Sequence, residues 1–143
     1  MTIGITLTVE QQRLQAELRL YGKEIIPNGR QSCMQLLARR ILKQIILRNP
    51  VETARSRAAW VNALAEMGAV PPAGWQGDVA EQAAIQEGTA HGSATEIQTA
   101  EQTEITATNR VDYIPFLEYG TGQTAAFQMV QQSLRQAGIT KHS

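Results

Sequence analysis

Cysteine, histidine and aspartate are scarce in this chain. Among its 143 residues there are one cysteine, two histidines and two aspartates. A single cysteine allows no intramolecular disulfide, and Cys33 falls in an apolar run, so we expect a buried free thiol. Neither His91 nor His142 has a second histidine, a cysteine or an aspartate at metal-ligand spacing, which argues against a metal site. Few residue types remain from which a catalytic centre could be built.

The start of the sequence lacks a basic leader followed by a long apolar run. The apolar stretch 41–47 contains Lys43 and is too short to cross a bilayer. We therefore expect a protein that is made in the cytoplasm and has no membrane partner. Its length suits one domain. Over residues 1–143 we expect an N-terminal helix and turn (1–29), a core (30–138) and a flexible tail (139–143).

Signatures of nucleotide binding and covalent catalysis are also lacking. The Gly-Thr-Gly stretch 120–122 precedes a predicted helix, but the longer glycine pattern and the lysine of a P-loop are missing. There is no nucleophile elbow either. An enzyme would need a polar pocket around Glu118, Tyr119 and this stretch. We place an enzyme third among the function classes and expect no cofactor.

The formal charge is zero overall but is divided unevenly along the chain. Residues 1–57 hold ten Arg or Lys against four Glu, a net charge of +6, and the remainder holds three against nine, a net charge of −6. Such a division fits a basic face for nucleic acid. It fits equally well a basic side of one copy that meets the acidic side of the next copy.

A helix and a turn are predicted at the N-terminus. The helical spacing of Leu14 and Leu18 predicts a first helix that is capped by Thr8 and stops at about Gly22. Pro27 and the Asn-Gly pair after it predict a turn, because proline fixes its backbone and the pair tolerates positive φ angles.

The second predicted helix is the clearest element of the sequence. A wide apolar stripe runs through residues 31–48, and Pro50 ends the helix because the residue before a proline is pushed out of the helical region. Its polar side carries Arg39, Arg40 and Lys43, which are the candidate DNA-facing residues. They make a small DNA-binding or packaging accessory protein the alternative function.

The C-terminal half mixes short elements. Residues 51–68 fit either a helix or an extended segment. The remaining pattern predicts an exposed loop over 68–77, one or two short helices over 78–102, a strand over 103–109 and a helix over 124–138 that closes at Gly138. The fold class is therefore α+β, with two N-terminal helices, a small, mostly antiparallel β-sheet and a C-terminal helix.

Two segments are denser in turn formers, charges and aromatics than a plain core element. They are NPVETARSRAAW at 49–60 and NRVDYIPFLEYGTG at 109–122. Glu118 lies among the aromatic residues of the second segment, where a carboxylate favours a cationic partner. We predict that it pairs with Arg55 or Arg57 of the first segment, within a subunit or between subunits. A plain corner between a strand and a helix is the alternative.

Together the two segments resemble those of the tail-completion, or head–tail connector, proteins of long-tailed bacteriophages and prophages, which include tail terminator-like minor tail proteins. The resemblance covers about residues 30–137 and rests on two motifs. The first motif is Pro50, Val51, Glu52, Thr53, Arg55, Arg57 and Trp60. The second motif is Asn109, Tyr113, Leu117, Glu118, Tyr119, Gly120 and Thr121. The family usually has glycine where this chain has Ala54, and residues 8–22 have no counterpart in it.

The resemblance implies a small α+β protein without enzymatic activity. Similar proteins assemble as a ring, commonly of six copies, where the tail tube meets the head-side connector, and DNA passes through the lumen. We therefore expect a structural virion protein whose partners are further copies of itself, the tail-tube protein, the head-side connector proteins and DNA. The subunit-interface candidates are Arg55, Arg57, Trp60, Tyr113, Glu118, Tyr119 and Gly120.

Overall fold

The computed structural model describes residues 2–20, 22, 24–50, 54–77, 82–120 and 128–137, apart from the Phe116 side chain. This part of the chain contains both strands and helices. They are β1 (Ile3–Glu10), α1 (Gln11–Arg19), α2 (Pro27–Arg48), α3 (Arg55–Glu66), α4 (Gln82–Thr89), β2 (Gly92–Gln98), β3 (Gln102–Asn109), α5 (Ile114–Tyr119) and α6 (Met129–Gln136).

The strands form one antiparallel sheet in the order β1–β3–β2. In its register, Thr106 of β3 lies between Thr6 of β1 and Thr95 of β2. Side chains of a strand alternate between the two faces of the sheet. On the core face of β3 the buried residues are Thr103, Ile105, Ala107 and Asn109. The helices pack on that face, whereas Thr6 and Thr95 on the opposite face are exposed.

Helix α2 is the main core helix. Its buried apolar positions recur at helical spacing and are Ala38, Ile41, Leu42, Ile45 and Ile46. The helix begins at Pro27, a good first residue because the N–H that proline lacks has no partner within the helix there. It ends at Arg48 because Asn49 precedes Pro50 and adopts an extended backbone.

Helix α3 joins the sheet and α2 through Trp60. This side chain is fully buried, and it belongs to the same hydrophobic cluster as apolar residues of β1, α2, β3 and α6. The segment 49–60 is therefore anchored in the core by its tryptophan. The alternative of an extended segment after Pro50 is wrong for residues 55–66, which are helical.

Helix α3 also lies very close to β2 and α4. A Cβ atom added at Gly92 would stand 1.7 Å from the carbonyl oxygen of Ala59, and one at Gly88 would stand 2.0 Å from that of Arg55. No other residue type can occupy these two positions without moving a backbone. The pair of glycines therefore sets how closely α3 packs against its neighbours.

The N-terminus differs from the sequence prediction. Residues 3–10 form a strand rather than the beginning of a helix capped by Thr8, and α1 starts after it at Gln11. The apolar residues Ile3, Ile5 and Leu7 alternate with polar ones and are buried. Their spacing is the two-residue period of a half-buried strand.

Three further expectations are wrong. The turn expected at Pro27 is the first turn of α2. Residues 92–98, expected to belong to one or two short helices and the segment that separates them, form the edge strand β2, which is ordered by its pairing with β3. Cys33 is exposed rather than buried, because it lies on the outward side of α2.

The α+β class is confirmed, as are the antiparallel sheet, the strand near 103–109 and a C-terminal helix, α6. The expected helix stop at Gly138 and the tail 139–143 lie outside the described residues. Among the helices that the structure describes, none combines the length and the apolar character needed to span a membrane.

Candidate subunit interface

The two motif segments meet at a buried polar junction. The Asn109 side chain, at the end of β3, donates from Nδ2 to the Ser56 carbonyl oxygen in the first turn of α3 at 3.0 Å, and its Oδ1 accepts the Val111 N–H. The Asn49 Nδ2, at the end of α2, donates to Ser56 Oγ at 2.7 Å. Asn49, Ser56 and Asn109 are all buried. One serine thus joins the ends of α2 and β3 to the start of α3.

The backbone at the start of α3 turns sharply. Ala54 has φ +69° and ψ 3°, a left-handed conformation that favours glycine. Glycine would adopt this backbone conformation without the strain that the Cβ atom of alanine brings. Residues 51–53 of the first motif lie outside the described residues.

Arg55 connects the two segments at the surface. Its guanidinium lies over the Tyr113 ring, with the Cζ atom 6.0 Å from the ring centroid, a distance at which a cation is attracted to the aromatic face. Its Nε is also 3.4 Å from a carboxylate oxygen of Glu87 in α4. Both charged side chains of this pair are partly exposed to solvent, so the pair contributes little to stability.

Arg57 binds backbone carbonyls rather than a carboxylate. It donates to the carbonyl oxygens of Leu47 and Asn49 at the end of α2, and to that of Trp75 at 3.0 Å. A cation suits this place because the last carbonyls of a helix carry partial negative charge. Partial burial lowers the pKa of the Arg57 guanidinium from its ordinary value, although an arginine stays charged at neutral pH.

Glu118 caps α6 instead of pairing with Arg55 or Arg57. Its carboxylate accepts the backbone N–H groups of Val130 at 2.8 Å and Gln131 at 3.1 Å, in the first turn of that helix. Negative charge at a helix N-terminus is stabilising because the first N–H groups have no partner within the helix. The predicted ion pair is therefore not formed within the subunit as described.

Burial divides the seven interface candidates into two groups. Trp60 and Glu118 are 0% and 1% exposed, so their side chains offer no surface to a second copy. Tyr119 is 58% exposed, and Gly120 follows with φ +82°. The remaining accessible candidates are Arg55, Arg57 and Tyr113, which are partly exposed. Thr121 and the rest of the Gly-Thr-Gly stretch lie outside the described residues.

The three candidate DNA-facing residues differ in their contacts and exposure. Arg39 donates twice to the Met67 carbonyl oxygen, at 3.0 and 2.7 Å, and so holds the turn after α3. Arg40 and Lys43 are exposed. All three line a groove of about 440 Å³ between α2 and residues 68–70.

The described residues form no cluster of three or more His, Cys, Asp or Glu side chains that could hold a metal ion. His91 places Nδ1 2.7 Å from the Glu87 carbonyl oxygen, four residues earlier in the chain. The Glu118 carboxylate is occupied by two backbone N–H groups. Within the described residues, both oxygens of the Glu118 carboxylate therefore bind the backbone of α6.

Sequence reasoning missed one buried charge. Arg30 is fully buried in the first turns of α2 and donates to the Thr103 hydroxyl at 2.9 Å and to the Gln11 side chain at 2.9 Å. It also donates to the carbonyl oxygens of Thr99 and Ala100 in the turn between β2 and β3. No local signal in the sequence distinguishes this arginine from the exposed ones on α2.

Comparison of the chain with protein-family models, with curated proteins and with solved structures found no match.

Proposed function

We propose that the chain is a structural virion protein that forms a ring at the phage head–tail junction or at the tail end, where it completes or terminates the tail tube. One observation carries the proposal. The two segments that resemble the tail-completion family, 49–60 and 109–122, have 48 residues between them in sequence and form one junction through Asn109, Ser56 and the Arg55–Tyr113 contact. The two motifs that carry the resemblance are thus neighbours in this fold.

The chemistry of the junction supports assembly rather than catalysis. Asn49, Ser56 and Asn109 are joined by hydrogen bonds, and Glu118 binds the start of α6. Among the described residues, Asn49 Oδ1 and Trp60 Nε1 are buried without a hydrogen-bond partner. The accessible members of the junction, Arg55, Tyr113 and Tyr119, combine a cation with aromatic surface. Arginine and tyrosine are the residue types enriched where proteins bind one another.

Electron microscopy of the purified protein tests the proposal. We expect a ring, with six copies as the expected number, and a central hole wide enough for duplex DNA. Light scattering on the same sample gives the mass of the particle and so the copy number. A chain that remains monomeric at high protein concentration and low salt contradicts the proposal.

A second candidate is a small DNA-binding or packaging accessory protein that uses the basic side of α2. The exposure of Arg40 and Lys43 favours it. A gel shift with duplex DNA separates the two candidates, because this one requires binding by the isolated protomer that falls steeply with salt. Loss of that binding in an Arg40→Gln/Lys43→Gln variant, with Glu24→Gln as an unaffected control, would identify the basic side of α2 as the contact.

A further inference from the structure

Two faces of the described fold lie on opposite sides of the molecule without a described element over them. The inward side of α2 packs with α3 on one face of the sheet, so the outward side of α2 and the far side of the sheet point away from each other. We call them the helix face (Leu36, Arg40, Lys43, Leu47 and Val70) and the sheet face (Thr6, Thr95, Ile97, Glu104 and Thr106).

The helix face combines apolar surface with two cations. Leu36, Arg40, Lys43 and Leu47 follow one another at steps of four, three and four residues and therefore form one stripe along α2. Leu36 and Leu47 are 59% and 52% exposed, and Val70 across the groove is 78% exposed. Within the described residues, neither Arg40 nor Lys43 forms an ion pair or a side-chain hydrogen bond.

The sheet face combines one large apolar side chain with a carboxylate. Ile97 of β2 is 53% exposed and lies directly opposite Glu104 of β3 in the sheet register. The other members are threonines, which carry no charge. At the edge of the face, Arg110 donates to the Ser93 hydroxyl of β2 at 3.0 Å. Among the residues that the structure describes, Glu104 has no ion-pair partner. Arg13 of α1 borders this face only at the end of β1, beside Thr8 and Glu10.

We infer that the helix face of one copy docks on the sheet face of the next copy. Ile97 enters the groove between Leu36 and Val70, and Glu104 approaches Arg40 and Lys43. This inference rests on the proposed ring and names the surfaces that join its subunits.

The helix face and the sheet face match each other in both apolar and charged groups, so we take a second copy of the chain as the partner that covers each face. An apolar side chain beside a carboxylate on the sheet face matches apolar side chains beside cations on the helix face. Duplex DNA would use Arg40 and Lys43 but would leave both leucines of the stripe uncovered. The two faces differ from each other, so the contact is heterologous, and each copy can bind one neighbour on each side, as a ring requires.

A charge exchange tests the docking. Lys43→Glu and Glu104→Lys should each weaken association of the protein with itself by about tenfold or more, because like charges then meet in the contact. An equimolar mixture of the two variants should recover association, because every contact between unlike variants joins opposite charges. Sedimentation velocity on each variant and on the mixture measures this, and urea unfolding in high salt shows whether each variant folds.

Variants that replace an apolar side chain by serine test the docking independently of charge. Ile97→Ser should weaken association, whereas Leu20→Ser, which alters a residue that is 82% exposed and belongs to neither face, should leave it unchanged. If the wild type assembles and Lys43→Glu, Glu104→Lys and Ile97→Ser assemble equally well, the docking is wrong and the ring still stands. If the wild type does not assemble, both the ring and the docking are wrong. If a charge variant fails to fold, the result for Ile97→Ser decides.

Discussion

At the scale of single residues, two kinds of position limit what this sequence can change. Gly88 and Gly92 allow contact between backbones that a Cβ atom would prevent. Glu118 replaces the capping side chain that α6 lacks, since the residue before that helix, Gln128, makes no side-chain capping bond. The two glycines and Glu118 all contact backbone groups directly. A substitution that adds a single carbon atom to a glycine, or removes the charge of Glu118, should therefore lower stability.

Gly92→Ala should destabilise the fold by at least about 3 kcal/mol, because its Cβ would lie 1.7 Å from the Ala59 oxygen and must displace a backbone. Gly29→Ala is the matched control. There the nearest atom to the new Cβ is 3.2 Å away in the flexible Ile25 side chain, and alanine favours a helix, so we expect a change within about 1 kcal/mol. Urea unfolding measures both. Equal midpoints for the two variants would contradict the close packing of α3 on β2.

Glu118→Gln should destabilise the protein by about 2 kcal/mol, because the neutral amide offers one acceptor where the carboxylate offers two and loses its attraction to the helix N-terminus. Circular dichroism during urea unfolding gives the difference in free energy. Glu24→Gln, at an exposed position, should change it by no more than about 0.5 kcal/mol. Equal effects of the two substitutions would show that Glu118 does not cap α6.

At the scale of elements, Arg30 ties three of them together. From α2 its guanidinium reaches the side chain of Gln11 in α1, that of Thr103 in β3, and the backbone of the turn between β2 and β3. These partners are neutral acceptors, and four hydrogen bonds to them leave the buried cation well satisfied. The sheet therefore depends on α2 for the position of its turn as well as for its hydrophobic cover.

Arg30→Met should lower the free energy of unfolding by about 3 kcal/mol or more, because the acceptors around it would stay buried without donors. Arg40→Met is the same substitution at an exposed position of the same helix, and we expect a change within about 0.5 kcal/mol. Unfolding should be followed in high salt, where association between charged faces is screened. If Arg30→Met lowers the free energy of unfolding only slightly, the turn between β2 and β3 does not need the arginine for its position.

At the scale of the whole molecule, three charged residues from the two parts of the chain lie on opposite surfaces. Arg40 and Lys43 come from the basic first part of the sequence and lie outward on α2, and Glu104 comes from the acidic remainder and lies on the far side of the sheet. Opposite charges on opposite sides favour head-to-tail association over self-repelling contacts between equal faces.

Ring assembly should weaken as salt concentration rises, because ions screen the attraction between the two faces. Light scattering at constant protein concentration, between about 0.05 and 1 M salt, should show the mean particle mass falling. The Lys43→Glu protein should give a flat or rising curve over the same range. A wild-type assembly that is indifferent to salt would mean that apolar contact, rather than charge, holds the copies together.

Much of the fold could be predicted because its signals are local. The apolar stripe of α2 and the end of this helix before Pro50 can be recognised from residues close together in sequence. The same holds for the alternation of buried and partly buried residues in β3 and for the apolar spacing in α6. The same kind of local signal is present in β1, where Ile3, Ile5 and Leu7 alternate with less apolar residues. The helical spacing of Leu14 and Leu18 nevertheless predicts a helix that begins at Thr8. The prediction of β2 failed for a different reason, since its polar sequence becomes a strand only by pairing with β3.

By itself, the sequence determined which segments carry charge, aromatics and turn formers, and where the strongest helices run, because these depend on neighbours along the chain. Only the tertiary structure decided that Trp60 and Glu118 serve the interior, that Arg30 is a buried clamp, and that Asn109 meets Ser56. These outcomes depend on groups that are far apart in sequence. Burial and hydrogen bonding between them exist only once the sheet and α2 have been brought together.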